Sequence, residues 1–269
     1  MHWREALPIL TDLAVQPGRL GLVTDVDGTI SPIVDQPDAA QVTPRNRELL
    51  SRLESSLPLV AVISGRSAED VHARLDLPGL VYIGNHGLER WVDGQVQIRP
   101  EASRYRPALE KAQADIQALL QPGMLLEDKG ATLSLHYRQA KQPDQVAIEL
   151  QPKLQQLANS HGLWLTEGRR VFEFRPPLKI DKGTAFRGLV RDYRLETALY
   201  LGDDTTDIAA LQAARNLRTD GSCRAYGLGV KSDGTPETVL ANADFLIYGL
   251  PEVESFLAWL LKARMTSST

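Results

Sequence analysis

A short apolar run near the amino terminus ends at two carboxylates one residue apart, Asp25 and Asp27, and Gly28 follows at once. The apolar residues predict a buried strand, and ligands of open α/β sheets bind beyond the carboxyl ends of such strands. Gly28 permits a sharp turn in which successive N–H groups, from Val26 to Thr29, face a bound anion. This arrangement suits a nucleophile with a proton donor beside it, and phosphate is the expected anion.

Two other interpretations of Asp-Val-Asp-Gly are available. A calcium loop also alternates acidic residues, but it has glycine at its sixth position, whereas Gly28 stands at the fourth and follows a strand-like segment. An ordinary acidic turn after a strand is the second alternative. The rest of the chain has to decide between that turn and a phosphate site.

Length and composition exclude several classes of protein. A chain of 269 residues with 43% apolar and 24% charged residues predicts one large α/β body or a body with an insertion. No apolar stretch is long enough to cross a bilayer, no secretory signal is evident, and Cys223 is a single cysteine, so a cytoplasmic protein without a membrane partner is expected. A net charge of −4 without a basic run argues against nucleic acid as a partner. The histidines lack zinc-site spacing, so any metal should be bound by oxygen.

The order of predicted elements indicates two parts. Residues 1–86 and 177–269 alternate apolar strands with amphipathic helices, which predicts a doubly wound, Rossmann-like parallel sheet. Residues 87–176 contain a hairpin signal, Asp93-Gly94, and strands in which apolar and polar residues alternate. We therefore expect an α+β cap domain inserted into an α/β core, with helices near 102–120 and 143–160 covering its apolar face.

Chemically competent residues stand at the ends of the predicted strands or the starts of helices: Asp25 with Asp27, Ser64, Lys182, and the acidic residues Asp203, Asp204 and Asp207. Together they resemble the haloacid dehalogenase superfamily of phosphotransferases, whose four motifs run in this order. A carboxylate that attacks phosphorus must overcome the negative charge of the phosphate, and a divalent cation with nearby donors provides for this.

The resemblance implies a role for each of these residues. Asp25 is the expected nucleophile, and Asp27 is the expected general acid and base. Mg²⁺ is the expected cofactor, bound by the carboxylates of Asp25 and Asp203 and the backbone carbonyl of Asp27, with Asp204 and Asp207 completing or orienting the site. The phosphoryl group is expected to contact four residues: Ser64, Lys182, Gly28 and Thr29.

Strings in the insertion resemble one family within this superfamily, the trehalose-6-phosphate phosphatases: Glu127-Asp-Lys-Gly130, Leu135-His-Tyr-Arg138 and Arg170-Val-Phe-Glu-Phe-Arg-Pro176. The resemblance implies hydrolysis of trehalose 6-phosphate as the last step of trehalose biosynthesis, with functional coupling to a trehalose-6-phosphate synthase. It also implies sugar contacts by five residues: Glu127, Lys129, Arg138, Arg169 and Glu173. One departure is Ile208, which stands where many family members carry an acid.

Several alternatives stay open at this point. A related phosphatase acting on sucrose phosphate, mannosyl-phosphoglycerate or glucosylglycerol phosphate would carry the same core motifs. A phosphomutase would transfer the phosphoryl group to a sugar instead of water. A non-catalytic sugar-phosphate sensor would bind the same ligand without releasing phosphate. The charged residues of the insertion could also form only solvated ion pairs, which is the usual outcome for an exposed strand face.

Overall fold

The structure, a computed structural model, describes residues 1–16, 18–34, 39–168 and 170–266. These residues form two compact units, one of Met1–Val96 with Ile180–Thr269 and one of Gln97–Lys179. In the described residues, no helix combines the length and hydropathy needed to span a bilayer.

The strands in chain order are β1 (Leu20–Thr24), β2 (Leu59–Ile63), β3 (Val81–Gly84), β4 (Glu89–Val92), β5 (Gln95–Ile98), β6 (Leu125–Asp128), β7 (Leu133–His136), β8 (Trp164–Gly168), β9 (Val171–Arg175), β10 (Thr197–Gly202), β11 (Arg224–Lys231) and β12 (Phe245–Tyr248). The helices are α1 (Leu7–Val15), α2 (Pro44–Glu54), α3 (Ala68–Leu75), α4 (Pro100–Ser103), α5 (Arg106–Gln117), α6 (Pro143–Ser160), α7 (Lys182–Asp192), α8 (Ile208–Thr219), α9 (Glu237–Asn242) and α10 (Gly249–Thr266).

The larger unit is built on one sheet with the strand order β12-β11-β10-β1-β2-β3-β4-β5. The strands from β12 to β3 pair in parallel, and β4 then runs antiparallel to β3. The chain proceeds from β1 towards β2 on one side and continues from β10 towards β12 on the other. Strand β1 therefore lies where the order reverses, which is where open α/β sheets bind their ligands.

Helices cover both faces of this sheet, which explains the continuous apolar runs of its central strands. Leu22 of β1 belongs to a buried cluster that also contains side chains of α1, α2 and α10. Its neighbour Val23 belongs to a second cluster, formed with α7 and α8. Alternate residues of one strand thus enter different cores, as the two-residue period of a strand requires. The predicted doubly wound α/β architecture is confirmed.

The hairpin between β4 and β5 turns at Asp93 and Gly94, which have φ values of 50° and 79°. Positive φ at both central residues is typical of the two-residue turns that suit the twist of paired strands. The predicted hairpin is confirmed, but β4 continues the sheet of the larger unit, whereas the sequence analysis began the insertion at residue 87. The functional division of the chain at 87 and 176 stays a prediction.

The smaller unit contains an antiparallel sheet with the order β6-β7-β9-β8. Leu133, Leu135, Phe172 and Phe174 point into a core shared with α5 and α6, which confirms the expected pair of covering helices. The intervening residues, such as Glu173, lie on the opposite face. The predicted alternation of apolar and polar faces in these strands is confirmed.

Candidate active site

Asp25 and Lys182 form the centre of the site in the larger unit. Asp25 follows β1 directly, and its side chain is buried. Lys182 is the first residue of α7, whose start is fixed by a capping box between Asp181 and Thr184. The Lys182 ammonium is also buried and lies 2.8 Å from Asp25 Oδ1 and 2.7 Å from Asp207 Oδ1. The sheet and the capped helix together hold a cation against the expected nucleophile.

The carboxylate of Asp207 accepts four hydrogen bonds. Its Oδ1 accepts from Lys182 Nζ at 2.7 Å and from Tyr200 Oη at 2.6 Å, and its Oδ2 accepts from the backbone N–H groups of Asp203 at 3.1 Å and Asp204 at 3.0 Å. A carboxylate offers about four acceptor positions, and these contacts use them. Asp207 therefore organises the site, which leaves Asp25 and Asp203 as the carboxylates with more capacity for a ligand.

A buried acidic cluster, formed by Asp25, Asp203 and Asp207, could hold a metal ion. One carboxylate oxygen from each residue lies within 4.8 Å of the others. These three groups carry three negative charges when ionised, and Lys182 supplies one positive charge among them. Because buried charge is costly unless it is paired, an oxygen-rich cluster with excess negative charge suits a hard divalent cation. Asp204 is partly exposed and is not part of this cluster.

The pKa values of these groups reflect the crowded negative charge. Burial raises the pKa of Asp203 to about 7, and the neighbouring Asp207 charge adds to the rise. Burial also keeps the pKa of Asp25 well above its usual value, although the Lys182 charge opposes that shift. Burial disfavours the ammonium form of Lys182, but Asp207 and Asp25 outweigh it and raise the Lys182 pKa. A cation at the cluster would favour the ionised form of the carboxylates.

The loop after β1 differs from the predicted anion cradle. The N–H of Gly28 donates to Ser31 O at 2.8 Å, and the N–H of Thr29 donates to Val26 O at 3.2 Å, so both donors are used within the loop. These two N–H groups are thus hydrogen-bonded to carbonyl groups of the loop, and their contact with a phosphoryl group stays a prediction. Thr29 serves the site through its hydroxyl instead, because Thr29 Oγ1 donates to Asp203 Oδ1 at 2.8 Å.

Gly28 is nevertheless required at its position. Its φ is 86°, and a Cβ added there would lie 2.1 Å from Asp203 Oδ2. A side chain at Gly28 would therefore strain the backbone and displace an oxygen of the acidic cluster at the same time.

Asp27 points to a different partner from Asp25. Arg66 Nε lies 2.6 Å from Asp27 Oδ2, and Arg66 Nη2 lies 2.9 Å from Asp27 Oδ1, so the pair is bidentate. The Asp27 carboxylate is not part of the acidic cluster. The role of its side chain in proton transfer stays a prediction. No role for Arg66 was predicted, although its place in the string Ser64-Gly65-Arg66 directly after β2 was a signal for one.

Ser64 lies at the end of β2 and is buried. Its Oγ accepts from Arg66 N at 3.2 Å, and its carbonyl accepts from His86 N at 2.9 Å. Asn85 N donates in turn to Arg66 O at 2.8 Å. Asn85 and His86 have φ values of 46° and 57°, a conformation that non-glycine residues rarely adopt and that clusters at functional sites. Two loops of the larger unit are thus tied together beside Asp27.

The smaller unit brings several predicted sugar-binding residues to one sheet face. Glu127 and Glu173 both lie opposite Ser134 in the strand register. Lys129 Nζ lies 3.8 Å from Glu173 Oε1, and His136 Nε2 lies 2.8 Å from Glu127 Oε2. These contacts place one carboxylate beside an ammonium group and another beside an imidazole, an arrangement that offers both acceptors and donors to hydroxyl groups.

The remaining two sugar-binding candidates differ in what the structure describes. Arg138 follows β7 closely and is partly exposed. Arg169 lies outside the described residues. Its proposed contact with the sugar stays a prediction from the sequence.

Known proteins resemble this chain in sequence. The sequence model of a family described as trehalose-phosphatase matches residues 23–230. A trehalose-phosphate phosphatase of Mycobacterium marinum is 38% identical over 197 residues, which is 70% of this chain and 50% of that relative. The chain thus spans about half the length of the mycobacterial relatives that it matches.

Solved structures share the fold. The C-terminal domain of Candida albicans trehalose-6-phosphate phosphatase matches with a TM-score of 0.80 at 22% identity, covering 95% of this chain and 96% of that one. The C-terminal domain of a C. albicans trehalose synthase regulatory protein matches with a TM-score of 0.68 at 15% identity, covering 94% and 97%. A haloacid dehalogenase-like hydrolase from Bacteroides thetaiotaomicron matches with a TM-score of 0.60 at 17% identity, covering 90% and 99%. The expected haloacid dehalogenase fold is therefore confirmed.

Proposed function

Because the chain belongs to the trehalose-phosphatase family, we propose that it hydrolyses trehalose 6-phosphate to trehalose and inorganic phosphate. The observation that carries this proposal is the placement of Asp25 at the reversal point of the sheet, 2.8 Å from a buried ammonium and beside two further buried carboxylates. Phosphoryl transfer requires such a combination of nucleophile and positive charge. The reaction is the last step of trehalose biosynthesis.

The chemistry proceeds in two displacements. A carboxylate oxygen of Asp25 forms a bond to phosphorus while the bond between phosphorus and the sugar oxygen breaks, and Asp27 gives its proton to that departing oxygen. Water then attacks the aspartyl-phosphate, Asp27 takes the proton of that water, and the bond between Asp25 and phosphorus breaks. One difficult substitution is thereby divided into two easier ones.

Positive charge and hydrogen-bond donors hold the phosphoryl group. Lys182 keeps its charge in this environment and offers its ammonium next to the Asp25 oxygen. Ser64 supplies a hydroxyl at the end of the neighbouring strand β2. Fixed charges in a buried site stabilise the transition state without the reorganisation that water requires.

We propose Mg²⁺ as the cofactor, because the candidate ligands are all oxygen atoms. The carboxylates of Asp25 and Asp203 and the backbone carbonyl of Asp27 would hold it, while Asp207 and Asp204 orient these groups. When bound, a divalent cation neutralises phosphate charge that would otherwise repel the nucleophile.

The smaller unit supplies the sugar contacts in this proposal. The residues that would bind the hydroxyl groups of the disaccharide are Glu127, Lys129, Arg138, Arg169 and Glu173. The proximity of Lys129 to Glu173 supports this assignment, since a paired donor and acceptor can bind adjacent hydroxyls. We further propose that the enzyme is cytoplasmic and receives its substrate from a trehalose-6-phosphate synthase.

The test is phosphate release from trehalose 6-phosphate, sucrose 6-phosphate, mannosyl-phosphoglycerate and glucosylglycerol phosphate, each with Mg²⁺ and with EDTA. We expect the highest kcat/KM for trehalose 6-phosphate and no release in EDTA. A preference for another of these substrates would assign the chain to a different sugar phosphatase. Binding of trehalose 6-phosphate without release would identify a sensor, and transfer of labelled phosphate to sugar would identify a mutase.

A further inference from the structure

The geometry around Asp27 points to a role for Arg66 that goes beyond the proposed function and rests on it. The guanidinium of Arg66 donates to both oxygens of Asp27, at 2.6 Å and 2.9 Å, and its side chain is only 14% exposed. Two parallel bonds from a planar guanidinium fix the orientation of a carboxylate as well as its position. The expected acid and base therefore has a defined direction before any substrate binds.

Arg66 is itself held by groups other than Asp27. Its Nη1 donates to Asp70 Oδ2 at 2.9 Å, and Asp70 also accepts from Arg74 Nε at 2.9 Å. Arg74 in turn donates to the carbonyl of Ala40. Burial would raise the pKa of Asp70, but hydrogen bonds from Arg74 and Arg66 outweigh it and lower that pKa, so Asp70 is a charged anchor. The position of the Arg66 guanidinium is thus fixed by hydrogen bonding to a residue of helix α3.

The main chain of Arg66 is anchored as well. Its N–H donates to Ser64 Oγ, and its carbonyl accepts from Asn85 N at 2.8 Å. Both ends of the residue are consequently fixed within the larger unit. Because Arg66 is held at both ends, it can fix the orientation of the Asp27 carboxylate.

We propose that Arg66 is a positioning residue for proton transfer, which holds the carboxyl group of Asp27 ready for the sugar oxygen and away from the acidic cluster of Asp25, Asp203 and Asp207. When Asp27 carries a proton, one of its oxygens still accepts from Arg66 and the other presents the O–H. Without Arg66, the Asp27 carboxylate would be free to turn, and it stands only two residues from Asp25.

The experiment compares the wild type with Arg66→Ala and Arg66→Lys, using two substrates. Trehalose 6-phosphate has an alkoxide leaving group that requires a proton, whereas 4-nitrophenyl phosphate has a leaving group that departs without one. For Arg66→Ala, we expect kcat/KM to fall by about 10- to 100-fold for trehalose 6-phosphate, which is less than the roughly 10²- to 10⁴-fold contribution of general acid catalysis because Asp27 itself remains. The value for 4-nitrophenyl phosphate should fall much less. Lysine keeps the positive charge but cannot donate two parallel hydrogen bonds, so kcat/KM of Arg66→Lys for trehalose 6-phosphate should lie between the values of the wild type and Arg66→Ala.

A second measurement combines Arg66→Ala with Asp27→Asn. If Arg66 acts through Asp27, adding Arg66→Ala to the Asp27→Asn enzyme should cause no further loss of kcat/KM. Independent, multiplying losses in the double variant would overturn the proposal. Equal losses for the two substrates with Arg66→Ala would also overturn it.

Arg218→Ala is a matched control. Arg218 forms a comparable bidentate pair with Asp244, at 3.0 Å and 2.6 Å, and neither residue contacts Asp27 or the acidic cluster in the described structure. This variant should lower the melting temperature while leaving kcat/KM unchanged for both substrates. An inactive wild type would refute the proposed function itself, whereas an active wild type with an unaffected Arg66→Ala enzyme would refute only the role of Arg66.

Discussion

Removing one hydroxyl from Tyr200 tests whether Asp207 organises the site. Tyr200 is fully buried on β10, and its hydroxyl donates to Asp207 Oδ1 at 2.6 Å. Burial keeps the pKa of Tyr200 well above its usual value, so the hydroxyl remains a donor at any pH suitable for an assay. Tyr200→Phe keeps the ring and its packing against Phe186 and removes only this hydrogen bond.

The expected magnitude follows from the acceptor. A hydrogen bond to a charged group contributes about 1.5–3 kcal/mol, and Asp207 Oδ1 keeps its bond from Lys182, so we expect a loss of about 2 kcal/mol in the free energy of unfolding. For a protein of this size, this corresponds to a decrease in melting temperature of about 4–8 °C. If the transition state loses the same amount, kcat falls by up to about 30-fold.

Thermal unfolding and phosphate release from trehalose 6-phosphate measure the two effects. Tyr82→Phe is the control, because Tyr82 is equally buried but its hydroxyl bonds only to the backbone of Leu77. We expect both variants to be destabilised and only Tyr200→Phe to lose activity. Wild-type kcat in a destabilised Tyr200→Phe enzyme would refute the view that Asp207 depends on this hydroxyl to align Lys182.

Further expectations concern the nucleophile, the metal cluster and the sugar site. Asp25→Asn should abolish phosphate release while leaving the fold intact by circular dichroism; residual turnover near the wild-type rate would contradict its role. Gly28→Ala should abolish the increase in the free energy of unfolding that Mg²⁺ gives the wild type. Gly94 has a similar φ of 79° and open space around an added Cβ, so Gly94→Ala should lower the free energy of unfolding by only about 1 kcal/mol of backbone strain. In EDTA, the melting temperature should fall as the pH rises from 3.8 to about 7, because Asp203 of the folded protein keeps a proton that Asp203 of the unfolded chain has lost. Mg²⁺ should remove this dependence of the melting temperature on pH. A melting temperature that rises over this range in EDTA would contradict the raised pKa of Asp203. Glu173→Gln should raise KM for trehalose 6-phosphate but not for 4-nitrophenyl phosphate, and an equal rise for both would argue against a sugar contact.

The central part of the site was predictable because strand ends in a parallel sheet meet at one edge. Asp25, Ser64 and Asp203 each follow an apolar run, and parallel pairing of β1 with β2 and β10 makes these runs neighbours. Lys182 was predictable from its place after a helix cap. Apolar patterning carries this information because it reports burial and period together.

Other features depend on contacts that patterning does not encode. Tyr200 lies inside an apolar strand and has a ring typical of a core, so nothing in the sequence indicated that its hydroxyl reaches Asp207. The pairing of Arg66 with Asp27 was not predictable, because it depends on which of several nearby carboxylates the guanidinium contacts in the folded protein. The hydrogen bonds of the Gly28 and Thr29 N–H groups within their loop were not predicted, because they depend on the exact path of the loop, which residue types alone do not specify.

The start of α7 at Lys182 has a consequence for how the helix and the site depend on each other. Aligned peptide dipoles give a helix a partial positive charge at its first turn, where a lysine is electrostatically unfavourable. Asp25 and Asp207 reverse that preference by facing the ammonium. The first turn of α7 therefore adds its own positive potential to that of the lysine, and the pull on an incoming anion is greater than one side chain alone would exert.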